Sequence, residues 1–227
     1  HDDVQRIDIY GTGLHASVAA GTGKSFSRPV MNKWIDDNYT VIGKSYYLKG
    51  DYPKAEEIFT YLARTVNGDD AEAWAYSWLG RTHMRAGDDI KAKNALAKAE
   101  SIRDASDEAM VHTLLVLAQY RILTEEFEKA ARHLEDALPR MGKKDKERTR
   151  ATFVLAQCLR AAGDKEGAIG KFQEVADMRW ANYEWVFQGN IQQAMTYERR
   201  NGNSEAIVEL LEDMLEDSKN EEFLDQV

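Results

Sequence analysis

The sequence predicts an all-α solenoid of five helical hairpins, and two observations carry that expectation. First, Gly43, Gly80, Ala118, Ala156 and Ala194 are each followed twelve residues later by Ala55, Ala92, Ala130, Ala168 and Ala206. Successive alanines lie 37, 38, 38 and 38 residues apart, a period in the range of stacked helical repeats. Second, apolar residues within each unit recur at three and four, the mark of one helix face, and no pattern of a parallel sheet follows anywhere.

Taken in order, residues 1–31 precede the repeats. Ile7, Tyr10, Leu14 and Val18 keep helical spacing despite Gly11 and Gly13, and predict a lead-in helix. It serves either as the second helix of a preceding hairpin or as a cap. A flexible join follows, and it contains "GTGKS" (residues 21–25), which looks like the end of a phosphate-binding loop. That loop needs a glycine five residues before Gly23, where this chain has Val18, and a strand before it, where residues 4–20 read as helix. Pro29 also falls too deep in the helix that should follow. The stretch is therefore expected to be an exposed linker, with Lys24 contacting no phosphate.

Five hairpins are expected over residues 32–217. In the first, Tyr39, Ile42, Gly43 and Tyr46 form one stripe, and Ala55, Ile58, Phe59 and Leu62 form the facing one. Gly50-Asp51, Gly87-Asp88 and Gly163-Asp164 supply the turns of the first, second and fourth hairpins. Glycine suits the left-handed end of a helix, and aspartate caps the amides that begin the next. The third and fifth units lack this pair. Small residues at the paired sites permit close helix approach. The large residue four after each alanine (Phe59, Leu96, Leu134, Phe172, Leu210) fills the core, contributing about 1.5–3 kcal/mol if fully buried. No single hairpin covers its own apolar face, so stacking supplies the core. Residues 218–227 begin a further helix, and both ends fit a fragment of a larger protein.

This pattern resembles the tetratricopeptide repeat (TPR), with three or four residues added to its period at 67–72, 103–108, 142–147 and 180–185. The resemblance implies a right-handed superhelix whose concave face, lined by first helices, takes a partner. A narrower resemblance covers residues 32–227. "NKWIDDNYTVIGKSYYLKGDYPKA" (32–55), "RTRATFVLAQCLRAAGD" (148–164), "NYEWVFQGNIQQAM" (182–195) and "MLEDSKNEEFLDQV" (214–227) are similar to Bacteroidota TPR lipoproteins of the gliding motility and type IX secretion group. That likeness implies the periplasmic side of the cell envelope, at the outer membrane, with a lipid anchor outside this chain. The alternative is a cytoplasmic adaptor or co-chaperone.

Chemistry is sparse. Net charge is −9, which disfavours nucleic acid as a partner. No apolar run reaches the roughly 20 residues of a membrane-spanning helix. Cys158 is the only cysteine and sits among apolar neighbours, as a packing thiol would. The five histidines form no metal-binding spacing, and His83 occupies the slot of Tyr46 as a packed core residue. No group combines nucleophile, base and orienting residue, so neither enzyme activity nor a cofactor is expected. "RWANYEW" (179–185) gathers two tryptophans and a tyrosine at a junction, for packing or as a partner anchor.

Counting one, four and five after each small residue, and three and six before it, locates the groove. Its candidate contacts are Lys44, Tyr47, Trp74, Arg81, Met84, Arg85, His112, Gln119, Arg150, Phe153, Gln157, Arg160 and Arg199. Six cations (Lys44, Arg81, Arg85, Arg150, Arg160, Arg199) stand there against two anions, Asp37 and Glu198. The expected ligand is a protein or extended peptide bearing carboxylates, held by arginine forks with Tyr47, Trp74 and Phe153 as apolar contacts. The competing expectation is a solvated face whose cations pair with acids of neighbouring helices. Thr40 and Lys44 do not fit the lysine–asparagine carboxylate clamp of chaperone-binding TPRs.

Overall fold

The computed structural model describes residues 33–66, 68–143, 146–197 and 204–226. Contacts divide the chain into units 1–35 and 36–227. The lead-in helix and "GTGKS" lie outside the described residues.

Ten α-helices occur among the described residues: α1 Lys33–Leu48, α2 Tyr52–Thr65, α3 Asp69–Ala86, α4 Asp89–Ser101, α5 Asp107–Leu123, α6 Phe127–Ala137, α7 Lys146–Ala161, α8 Lys165–Ala176, α9 Tyr183–Thr196 and α10 Ser204–Glu216. Short 3₁₀ segments follow α6 (Leu138–Arg140) and α10 (Ser218–Gln226). Helices pair in sequence as α3/α4, α5/α6, α7/α8 and α9/α10, and each second helix also packs on the first helix of the next hairpin; α1 meets α2 through Gly43 against Phe59 and Tyr39 against Tyr61. The expected solenoid of hairpins is what the chain forms.

The turns follow from the glycine–aspartate pairs. Gly50, Gly87 and Gly163 have φ of 79°, 78° and 91°, a region where other residues are strained. The next amide reaches back five residues in each case, as in Asp51 N–H to Tyr46 O at 2.9 Å. Asp51, Asp88 and Asp164 then accept from the amides of Lys54, Lys91 and Gly167. The third hairpin makes the same turn without glycine: Glu125 takes φ 57°, and Glu126 N–H donates to Arg121 O at 2.8 Å.

The paired small residues set the helix spacing. A Cβ on Gly43 would stand 2.7 Å from Phe59 Cζ, and one on Gly80 would stand 2.5 Å from Leu96 Cδ2. Ala55, Ala92, Ala130 and Ala168 are fully buried opposite them. Phe59, Leu96, Leu134 and Phe172 fill the interior, and Leu210 packs on Phe187, Ile191 and Met214. Cys158 lies in the cluster of Leu134, Leu138 and Leu155, where burial pushes its thiol up to about 11. His83 is 4% exposed, and burial lowers its pKa.

The residues added to the TPR period do not all form loops. Asp69, Asp70 and Glu72 make the first turn of α3, and Asp107 and Glu108 that of α5. Carboxylates there complement the helix dipole, so the insertions extend first helices at their N-termini.

Candidate functional site

Successive first helices build the site from the side chains that their spacing turns to one face. Trp74 and Trp78 stand one turn apart on α3. His112 of α5 stacks on both, at centroid distances of 4.2 Å and 5.3 Å. Trp78 also stacks on Phe59 at 5.7 Å and meets the edge of Tyr47 at 5.5 Å, which fastens the platform to the core of the first hairpin. Two cations lie on it. Lys44 Nζ is 4.8 Å and 5.1 Å from the Trp74 and Trp78 centroids, and the Arg81 guanidinium is 5.1 Å from Trp78. Such contacts contribute about 0.5–2 kcal/mol each, depending on desolvation.

Backbone packing explains why these rings stand together. Ser77, between the two tryptophans in sequence, is completely buried at the α3–α5 interface, bonded to Ala73 O and to Thr113 Oγ1 at 2.9 Å. A small side chain there admits close approach of α5, and that brings His112 onto the indoles.

The platform is electropositive and incompletely satisfied. Neither Lys44 nor Arg81 has a carboxylate ion-pair partner among the described residues. Burial lowers the Lys44 pKa; Glu108 raises it and Arg81 lowers it further. Burial, then Arg81 and Lys44, drives His112 down to about 3, so its ring is neutral at neutral pH. Trp78 Nε1, Arg81 Nε and His112 Nε2 are buried without a hydrogen-bond partner. Burying such groups unpaired costs about 1–3 kcal/mol each, a cost tolerated here around two adjacent cations.

The other expected contacts lie outside this stacked layer. Arg85 is exposed beside Tyr52, whose hydroxyl raises its pKa. Met84 packs on the core of Leu96, Val116, Leu117 and Tyr120, and Gln119 is half-buried. Arg150 and Gln157 are exposed on α7. Phe153 is a core residue rather than a groove contact: 9% exposed, it meets Phe172 and Trp185 edge-on at 5.4 Å and 5.2 Å. Arg160 donates to Gln192 Oε1 at 2.8 Å and Thr196 Oγ1 at 3.3 Å, so α9 holds it with neutral acceptors. Arg199 and Glu198 lie outside the described residues, and of Asp37 only the backbone in α1 is described. The structure thus brings Lys44, Tyr47, Trp74, Arg81 and His112 together in the first three hairpins.

Trp78 is the residue that position counting missed. Its distance of four from Trp74 was a legible signal, since residues four apart share a helix face. Of the "RWANYEW" aromatics, Trp185 packs into the core, and Tyr183 donates to Asn220 and Asp217 at 2.8 Å and 3.0 Å. Trp180 is 43% exposed and lines a surface pocket of about 630 Å³ with Met178 and Gly170. Among the described residues no cluster of three or more His, Cys, Asp or Glu is placed to hold a metal, and no helix is long and apolar enough to cross a membrane.

No family model and no curated protein sequence matches the chain. Solved structures do. The nearly identical TPR-like repeats of a kinesin light chain from Podospora anserina align with a TM-score of 0.62 at 18% identity, covering 78% of this chain and 91% of that one. A MamA protein aligns at 0.60 and 19% identity, over 83% of this chain and 94% of that one. The Cut9–Hcn1 assembly of the APC/C aligns at 0.55 and 16% identity, over 84% of this chain and 36% of that one. The likeness establishes a TPR-like solenoid.

Proposed function

We propose that this chain is a non-enzymatic scaffold that holds a carboxylate-bearing segment of a partner protein against the face formed by α1, α3 and α5. The observation that carries this reading is the platform itself. Lys44 and Arg81, without carboxylate partners among the described residues, lie over a layer of Trp74, Trp78 and His112. Partly desolvated cations bind a carboxylate more strongly than fully solvated ones, and flat rings beside them accept the apolar atoms that flank it. The neutral His112 donates or accepts a single hydrogen bond without adding charge.

The test is calorimetric titration with a peptide of alternating glutamate and leucine, set against its glutamine counterpart. The glutamate peptide binds, the glutamine peptide binds at least about tenfold more weakly, and Arg81→Glu with Arg85→Glu abolishes the difference. Equal affinity of wild type and variant at low salt refutes the reading.

The setting we infer is a secretion or motility complex on the periplasmic side of the envelope. It is supported by the likeness of residues 32–227 to lipoproteins of that group. A full-length reading frame that begins with a signal peptide and a cysteine after small residues agrees with it; a cytosolic start defeats it.

A further inference from the structure

The chain's charge is unevenly distributed. Residues 204–227 hold nine acidic residues and one lysine, −8 of the total −9, so the preceding 203 residues carry only −1. Five of those acids, Glu205, Glu209, Glu212, Asp213 and Glu216, lie on α10. Glu205, Val208, Glu209, Glu212, Leu215 and Glu216 follow at three and four, making a single helix face, and every one of them is exposed. Val208 and Leu215 are each 52% exposed and lie two turns apart, about 10 Å along the axis. The opposite face of α10 is already used: Leu210, Leu211 and Met214 pack with Phe187 and Ile191 of α9. The helix therefore presents an outward stripe of four carboxylates and two apolar side chains without unfolding.

That stripe is complementary to the platform at the other end of the array. The first three hairpins present Lys44, Arg81 and Arg85, with no carboxylate ion pair among the described residues, beside aromatic rings. Leu48 (80% exposed) and Leu123 (64% exposed) end α1 and α5. We propose that the occupant of this groove is α10 of a second copy of the chain, an acidic helix laid in a basic, aromatic face. A helix in the fifth hairpin cannot reach its own first three without leaving α9, so the contact forms between molecules. Two different surfaces meet, which makes the interface heterologous and the product an open head-to-tail chain rather than a two-fold dimer. This deepens the proposed function by naming the carboxylate-bearing segment.

Sedimentation velocity and light scattering of the whole chain test it, together with two variants of exposed or half-exposed residues: a groove variant, Arg81→Glu with Arg85→Glu, and a helix variant, Glu209→Lys with Glu212→Lys. Circular dichroism establishes that each retains the fold; Arg85→Glu alone is the milder groove variant. Wild-type mass rises with concentration past that of a dimer, and salt raised from about 0.05 M to about 0.5 M weakens association at least about tenfold. Each variant alone is monomeric. Mixed, they form one-to-one dimers that grow no further, because each brings one competent surface. A monomeric wild type at every concentration, self-associating variants, or a mixture that stays monomeric overturns the proposal. If the glutamate–leucine peptide binds while the wild type stays monomeric, the groove reading survives and homotypic assembly alone falls.

Discussion

Replacing Gly80 with alanine tests the packing argument on which the solenoid rests, because two effects of opposite sign compete there. Alanine is the better helix former by about 1 kcal/mol, so an open position in a helix gains from the change. At Gly80 the added Cβ would stand 2.5 Å and 2.6 Å from Leu96 Cδ2 and Cγ, about 1 Å inside ordinary carbon–carbon contact. Leu96 is 1% exposed and enclosed by Ala92, Val116, Leu117 and Tyr120, so it cannot yield without moving α4 or α5. Overpacking of this kind costs about 1–3 kcal/mol, which set against the propensity gain leaves Gly80→Ala destabilised by up to about 2 kcal/mol. Gly170 in α8 is the matched control, since a Cβ there meets nothing within 4 Å. Gly170→Ala gains about 0.5–1 kcal/mol. Urea unfolding followed by circular dichroism shows the two midpoints moving in opposite directions. Stabilisation by both substitutions refutes the claim that the small residues set helix spacing.

Two further outcomes are expected. Glu125→Gly relieves a left-handed residue at φ 57° and raises stability by about 0.5–1 kcal/mol in the same assay, the conformational gain being partly offset by glycine's larger unfolded-state entropy. The His112 pKa, about 3 when folded, lies below its unfolded value near 6.5. Between those values the unfolded chain binds a proton that the folded one refuses. Stability from this group is therefore complete above about pH 6.5 and declines as pH falls toward 3, by at most about 1.4 kcal/mol per unit. His112→Gln flattens the decline between about pH 6.5 and 4.5; an unchanged slope contradicts the assignment.

The sequence made the hairpins legible because their determinants are local. Gly50-Asp51, Gly87-Asp88 and Gly163-Asp164 fix a turn each, and the twelve-residue spacing of small residues fixes which helix faces meet. The third turn was not legible from composition, since Glu125 occupies a conformation that only its neighbours' hydrogen bonds impose. Lys44, Tyr47, Trp74, Arg81 and His112 could be placed on one face by counting. Counting could not separate an open position from a covered one. Phe153 and Ser77 hold the same register position as Thr40, yet both are buried, because exposure there depends on what the next hairpin brings. Trp78 enters the platform for the same reason: small Ser77 lets α5 approach, a contact made across 36 residues. Arg160 likewise depends on Gln192 and Thr196 of the following hairpin.

The central claim is that a carboxylate is recognised on the Trp74–Trp78–His112 layer between Lys44 and Arg81. Nuclear magnetic resonance of ¹⁵N-labelled indole groups reads it most directly, with signals assigned by single Trp→Phe variants. Titration with the glutamate–leucine peptide is predicted to shift the Trp74 and Trp78 indole signals together while those of Trp180 and Trp185 stay in place, and the glutamine counterpart is predicted to shift neither pair. Shifts at Trp180 and Trp185 instead, or equal shifts with both peptides, would contradict it.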